Sequence, residues 1–182
     1  RMLLIHHRHI LLESLNLVSQ LLAHRRFASI FVERSGLKTL LNLPKQPSLA
    51  GGIALCLFGL ASISPVMEQI CLLAHPLPTQ LAKFAMWLQK CPNQTAQANI
   101  ALFWSHALSH RAMLTQYEGL GGLPCQLSIL HRGLEAAKDL EARDLEGWQR
   151  VVHHTCLSVR QYFRMHLALA ASSAKHNISA KS

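Results

Sequence analysis

The 182 residues are 50% hydrophobic and 15% charged, enough apolar material for an ordinary core and too little charge for a disordered chain. Nine Gly and seven Pro exclude collagen-like and low-complexity architectures. Eighteen Lys+Arg against nine Asp+Glu leave a net +9, a surface suited in general to acidic proteins, nucleic acid or anionic membrane.

From the start of the chain, the apolar run at residues 2–5 is interrupted at once by His6, His7, Arg8 and His9. No signal peptide is therefore readable, and the expectation is a piece of a longer intracellular protein. Helical spacing begins immediately, with Leu4, Leu11, Leu15, Val18 and Leu22 recurring at threes, fours and sevens. Residues 49–63 are the most apolar stretch, with three glycines. Since a membrane span needs about 20 residues, the spacing predicts a buried helix there. Leu81, Phe84, Ala85 and Leu88 form a middle stripe. Trp148, Val152, Val159, Phe163 and His166 form another, which predicts a long helix over 147–172. Breaks fall at Gly36, Pro44, Pro47, Pro65, Pro76, Pro78, Asn93 and Gly119 to Gly122. Sustained period-two alternation is absent. The chain reads as all-α.

A repeat organises these helices. Ala23-His24-Arg25 through Gly36-Leu37 parallels Ser109-His110-Arg111 through Gly119-Leu120, and residues 54–70 align with 101–117 at a constant offset of 47. Gly36 and Gly119 lie 83 apart, which suggests two periods of about 41–42, in the range of armadillo or HEAT units. One helical hairpin cannot bury its apolar stripe alone, so such units stack. Residues 1–134 are read as armadillo-like repeats, 135–146 as an acidic segment holding five of the nine acids, 147–172 as a helix packing on the repeats, and 173–182 as a disordered tail. A left-handed glycine ending a helix is expected at Gly36.

Five cysteines at 56, 71, 91, 125 and 156 make neither a disulfide framework nor a zinc ribbon. Cys56, Cys71, Cys91 and Cys156 sit in apolar runs and read as buried thiols in a reducing compartment. His106 with His110, and Cys71 with His75, have one-turn spacing without a third ligand or an HExxH pattern. No phosphate-binding glycine loop, GxSxG or carboxylate pair is present. Neither a catalytic residue, a metal site nor a cofactor is assigned, and no small-molecule substrate is expected.

Binding surfaces carry more weight. On the middle helix Lys83, Trp87 and Lys90 point away from the core stripe, a tryptophan framed by lysines; burial of Trp87 between repeats is the favoured reading. On the last helix Arg150, His153, His154, Arg160 and Arg164 are placed opposite the stripe of Trp148, Val152, Val159 and Phe163, a basic face that fits an acidic protein surface or the segment 135–146. Stacking aromatics do not interleave with the basic residues, which disfavours nucleic acid.

The run Leu22-Ala23-His24-Arg25-Arg26-Phe27-Ala28, then Phe31-Val32, Gly36-Leu37 and residues 41–44, resembles the armadillo-like amino-terminal region of the Vpr-binding protein family. Further matches follow in order: Met67-Glu68-Gln69-Ile70-Cys71, Trp87-Leu88-Gln89-Lys90-Cys91, Tyr117-Glu118-Gly119-Leu120 and His154-Thr155-Cys156-Leu157. The resemblance covers about 21–169. It implies a non-catalytic scaffold of a cullin-RING ubiquitin-ligase substrate receptor, nuclear and cytoplasmic, supporting target recruitment. Adaptor contact is expected through a propeller outside these residues. The alternative reading is a basic helical-repeat module that binds nucleic acid or anionic membrane.

Overall fold

The computed structural model describes residues 2–138 and 142–179. Among these described residues ten helices follow one another: α1 (Met2–Leu21), α2 (Arg25–Glu33), α3 (Gly36–Leu41), α4 (Pro47–Ala61), α5 (Ser64–Cys71), α6 (Leu77–Lys90), α7 (Gln94–Ala107), α8 (Arg111–Gly119), α9 (Gly122–Ala136) and α10 (Ala142–Ser179). No strand occurs among the described residues. Prolines punctuate as their chemistry requires, opening α4, α5 and α6 in the first turn, where a missing N–H costs nothing. Asn93 caps α7, its Oδ1 accepting from the Ala96 N–H at 2.9 Å.

The helices form an all-α repeat of three-helix units. The long first helices α1, α4, α7 and α10 stack in one row, and the third helices α3, α6 and α9 in another. α10 therefore occupies the place of a fourth unit's first helix. Units begin at Met2, Pro47, Gln94 and Ala142, so successive starts are 45, 47 and 48 residues apart. These spacings are longer than the 41–42 expected from Gly36 and Gly119 and close to the offset of 47 between residues 54–70 and 101–117; Gly36 and Gly119 are not equivalent, since the third helices α3 and α9 start at Gly36 and Gly122.

Glycines let the first row pack closely. A Cβ on Gly52 would sit 3.2 Å from Leu15 of α1, and one on Gly59 equally close to Leu22 just past the end of α1; Gly51 faces Thr95 of α7. Each first helix also reaches back to a backbone carbonyl of its predecessor: Cys56 Sγ donates to Leu15 O, Asn99 Nδ2 to Gly51 O, and His154 Nδ1 lies 3.2 Å from Ala98 O. The apolar stretch at 49–63 is thus a buried helix, as expected, with Leu49, Ile53, Leu57 and Leu60 essentially inaccessible. No single described helix is long and apolar enough to cross a membrane. The largest buried rings, Phe103, Trp104 and Tyr117, meet edge to face at centroid distances of 5.0 and 4.9 Å.

Several boundaries differ from the sequence expectation. α10 starts before 147 and continues past 172, so residues 173–179, expected as a disordered tail, are helical. Alanines at 168, 170, 171 and 174 favour helix, and the Ser172 and Ser173 hydroxyls donate to the Ala168 and Leu169 carbonyls. Residues 139–141 of the acidic segment, and 180–182, lie outside the described residues. The left-handed backbone is not at Gly36 but at Ser35 (φ 62°), with its counterpart at Gly121 (φ 69°).

Candidate interaction surfaces

On α6, Lys83 and Lys90 are exposed and Trp87 is half-buried against the core. The Trp87 ring lies 5.3 Å from that of Phe84. The cation over these rings is one the sequence did not single out: Lys45 Nζ stands 5.7 Å from the Phe84 centroid and 5.9 Å from that of Trp87, within cation–π range. Lys45 and Lys83 share a groove of about 300 Å³ with Asn42, Gln80 and Phe84. Lys90 faces elsewhere, close enough to α9 for its charge to act on the Cys125 thiol. The expected trio is therefore divided, and the lysine above the rings comes from the α3–α4 connection.

The last helix is rotated relative to the expectation. Its most buried line is Val151, Thr155 and Ser158, not Trp148, Val152, Val159 and Phe163. Phe163 is 53% exposed, and Trp148, Val152 and Val159 are half-buried. Two hydroxyls explain the offset. Thr155 Oγ1 donates to Val151 O at 2.7 Å, and Ser158 Oγ accepts from the buried Gln126 Nε2 at 2.6 Å. With their polar atoms satisfied, these small side chains bury at little cost.

That rotation splits the expected basic face. Arg150, His153, Arg160 and Arg164 are exposed, but His154 turns inward against α7. A carbonyl can only accept, so Nδ1 of His154 must carry the hydrogen toward Ala98 O. Burial lowers the His154 pKa below its ordinary value; the bond to Ala98 opposes this, and His153 and Arg150 add to it. His154 is a packing residue. The Trp148 and Val152 part of the displaced stripe instead faces α9, where Gly133, Leu134, Ala137, Trp148, Val152 and Cys156 line a groove of about 380 Å³.

A second tie between α10 and the repeats went unread in the sequence. Tyr162 donates to Glu118 at 3.4 Å, and His166 Nε2 lies 2.8 Å from the same carboxylate. Glu118 comes from α8, 48 residues earlier than His166, and no local pattern links them.

The thiols are mostly unreactive in character. Burial pushes the Cys56 pKa up to about 12 and raises those of Cys71, Cys91 and Cys125, which leaves them protonated. Cys156, expected as buried, is exposed in the α9–α10 groove. His106 packs on Phe58 at 5.7 Å, and burial lowers the pKa of both His106 and His110. Among the described residues no three His, Cys, Asp or Glu side chains gather as a metal site would require.

A family model described as the Mahjong helical domain matches residues 4–74. Over 88% of its length the chain is 34% identical to the DDB1- and CUL4-associated factor homolog 1 of Arabidopsis thaliana. It is 27% identical over 85% of its length to Protein mahjong of Drosophila melanogaster. The corresponding factor homolog of Caenorhabditis elegans is 25% identical over 90% of the chain. In each case the chain spans only 9 to 11% of the relative's own length.

Proposed function

This chain belongs to the Vpr-binding protein family, and from that membership we propose that it is a non-catalytic scaffold segment of a cullin-RING ubiquitin-ligase substrate receptor. Its part is to help hold targets where ubiquitin transfer can reach them, so that rate rises through effective concentration. The carrying observation is the 34% identity, across nearly the whole chain, to a factor whose name states its association with a cullin and its adaptor. The architecture suits the role. Stacked units are tied to one another by backbone-directed bonds, and the exposed Arg150, Arg160, Arg164, Lys83 and the Lys45 groove offer contact points along them. A nuclear and cytoplasmic address belongs to the same reading, as does adaptor contact through a propeller outside these residues.

Affinity purification of the tagged protein from its own cells tests this. The expected result is co-recovery of the cullin and its adaptor. Normal expression with neither protein recovered would overturn the reading. Recovery of nucleic acid or anionic lipid in their place, released by raised salt, would support the basic-module alternative instead.

A further inference from the structure

The groove between α3 and α6 lies within the stack, and the first two units supply both of its walls. Asn42 and Lys45 come from the end of α3 and the connection after it. Gln80 and Lys83 come from the first half of α6, beside the buried ring of Phe84. Contact between α3 and α6 sets the spacing of the walls.

Two cations converge here, and nothing among the described residues answers them. Neither Lys45 nor Lys83 makes an ion pair, and no carboxylate lines the groove. The described acids are placed elsewhere. Glu33 accepts from Ser29 of α2, and Glu68 from Ser64 of α5. Glu118 meets Tyr162 and His166 of α10, and Glu135 is engaged by Lys138. Glu13 and Glu146 belong to the first-row helices α1 and α10. Asp139, Glu141 and Asp144 lie outside the described side chains. Lys45 is moreover held in place, with Nζ 5.7 and 5.9 Å from the Phe84 and Trp87 ring centroids. A ring face positions an ammonium without neutralising it and leaves N–H donors for an acceptor. Lysines that share a groove repel each other, and an anionic occupant relieves that repulsion.

The amides indicate the shape of that occupant. Asn42 and Gln80 are exposed, and each carboxamide offers a donor and an acceptor side by side, the complement of a peptide unit. An extended segment presents unpaired peptide groups, whereas a helix has already paired its own. Nucleic acid is poorly served. Phe84 is buried, Trp87 is half-buried and Lys45 stands over both rings, so a base finds no open face on which to stack. We propose that the α3–α6 groove binds an extended acidic segment of a partner protein, its carboxylates against Lys45 and Lys83 and its backbone against Asn42 and Gln80. The surface follows from packing and charge and does not depend on the ligase reading.

The test uses the full chain and labelled peptides alternating Glu with Ser or Lys with Ser. About eight extended residues, at about 3.3 Å each, reach across two helices whose axes lie about 8–10 Å apart. Fluorescence anisotropy should show saturable binding of the glutamate peptide that weakens with salt. Affinity should fall at least about tenfold in Lys45→Glu/Lys83→Glu. It should stay within about twofold in Arg160→Glu/Arg164→Glu, which changes the net charge equally at a distance. Asn42→Ala/Gln80→Ala should weaken binding about threefold or more with the same salt dependence. All these positions are exposed, and circular dichroism checks that each variant folds. Equal binding of both peptides, or of neither, overturns the proposal. So does an equal loss in the two charge-reversed variants, which would reduce the effect to net charge, or unchanged binding in the amide variant. A single-stranded oligonucleotide of the same charge that displaces the glutamate peptide, and is itself lost in Lys45→Glu/Lys83→Glu, would assign the groove to nucleic acid. Tighter binding of a peptide of residues 135–146 would make the occupant the protein's own acidic segment, which overturns the proposal as well.

Discussion

A Cβ on Gly36 would stand 2.6 Å from the ring of Phe31, and Gly122 lies in the same way beneath Tyr117. At both junctions the glycine makes room for an aromatic ring five residues earlier, while the left-handed backbone falls on the preceding residue. Gly36→Val should therefore lower the unfolding free energy by about 1–3 kcal/mol through overpacking. Adding Phe31→Leu should recover part of that loss. Urea unfolding reads both variants, and an unchanged midpoint in the single variant would sink the account. Ser35→Gly should act in the opposite direction. A left-handed conformation costs an L-residue about 1–2 kcal/mol, so relieving it should stabilise by about 0.5–1 kcal/mol after the added unfolded-state entropy. A lower melting temperature in Ser35→Gly would contradict this. The Gly-Leu junctions were legible as repeat landmarks, but pairing Gly36 with Gly119 missed the true equivalence with Gly122. The informative feature was the ring at position 31 or 117, and a local turn pattern does not report how much space a distant side chain needs.

At the scale of one element, α10 shows why a face assigned from apolar residues alone was rotated. Its buried line includes Thr155 and Ser158, each with a hydrogen bond that sequence spacing cannot display. Ser158→Ala would strand the buried Gln126 amide, whose Oε1 already lacks a partner, and should cost about 1–3 kcal/mol. Phe163→Ala, in the stripe expected to be buried, should change stability by less than about 0.5 kcal/mol. Thermal unfolding of the two variants decides between the faces, and the reverse ranking would restore the original assignment. The same helix carries a pH dependence. His154 is held below its ordinary 6.5, mainly by burial, so the folded chain binds fewer protons than the unfolded chain just below that value. Stability is then full above pH 6.5 and declines as pH falls toward the lowered folded value. His154→Gln should flatten that decline without abolishing it, because His106 and His110 are shifted in the same direction. A urea series between pH 7 and pH 5 checks the slope, and an identical slope in the variant would remove His154 from the account. Of the candidate surface, the exposed arginines of α10 were legible from helical spacing. Lys45 above the Phe84 and Trp87 rings was not, because the fold brings it from a different segment.

For the whole molecule, stability should follow nearest neighbours, as in other solenoids. Among the described residues the packing of α10 on α7 is the most extensive helix pairing; the His154–Ala98 contact reinforces it, and α10 is also tied to α9 by the Gln126–Ser158 bond and to α8 by the Glu118 contacts. Leu169 of α10 packs on the core, and residues 170–174 after it are exposed. A chain ending at residue 172 should thus melt within a degree or two of the full chain. A chain ending at residue 138 loses all of α10, baring Ala98 and Ile129, which are buried together with Val151. It also leaves the Gln126 amide without its Ser158 partner. This shorter chain should keep most of its helical circular dichroism, because the first two units retain their neighbours. It should nevertheless bind a hydrophobic dye and unfold over a broader range, as its last unit loosens before the others. A sharp transition at the full-chain temperature in the residue-138 chain would mean that α10 is an appendage and not the fourth unit's first helix. The groove it forms with α9 would then lose the structural reason for its shape.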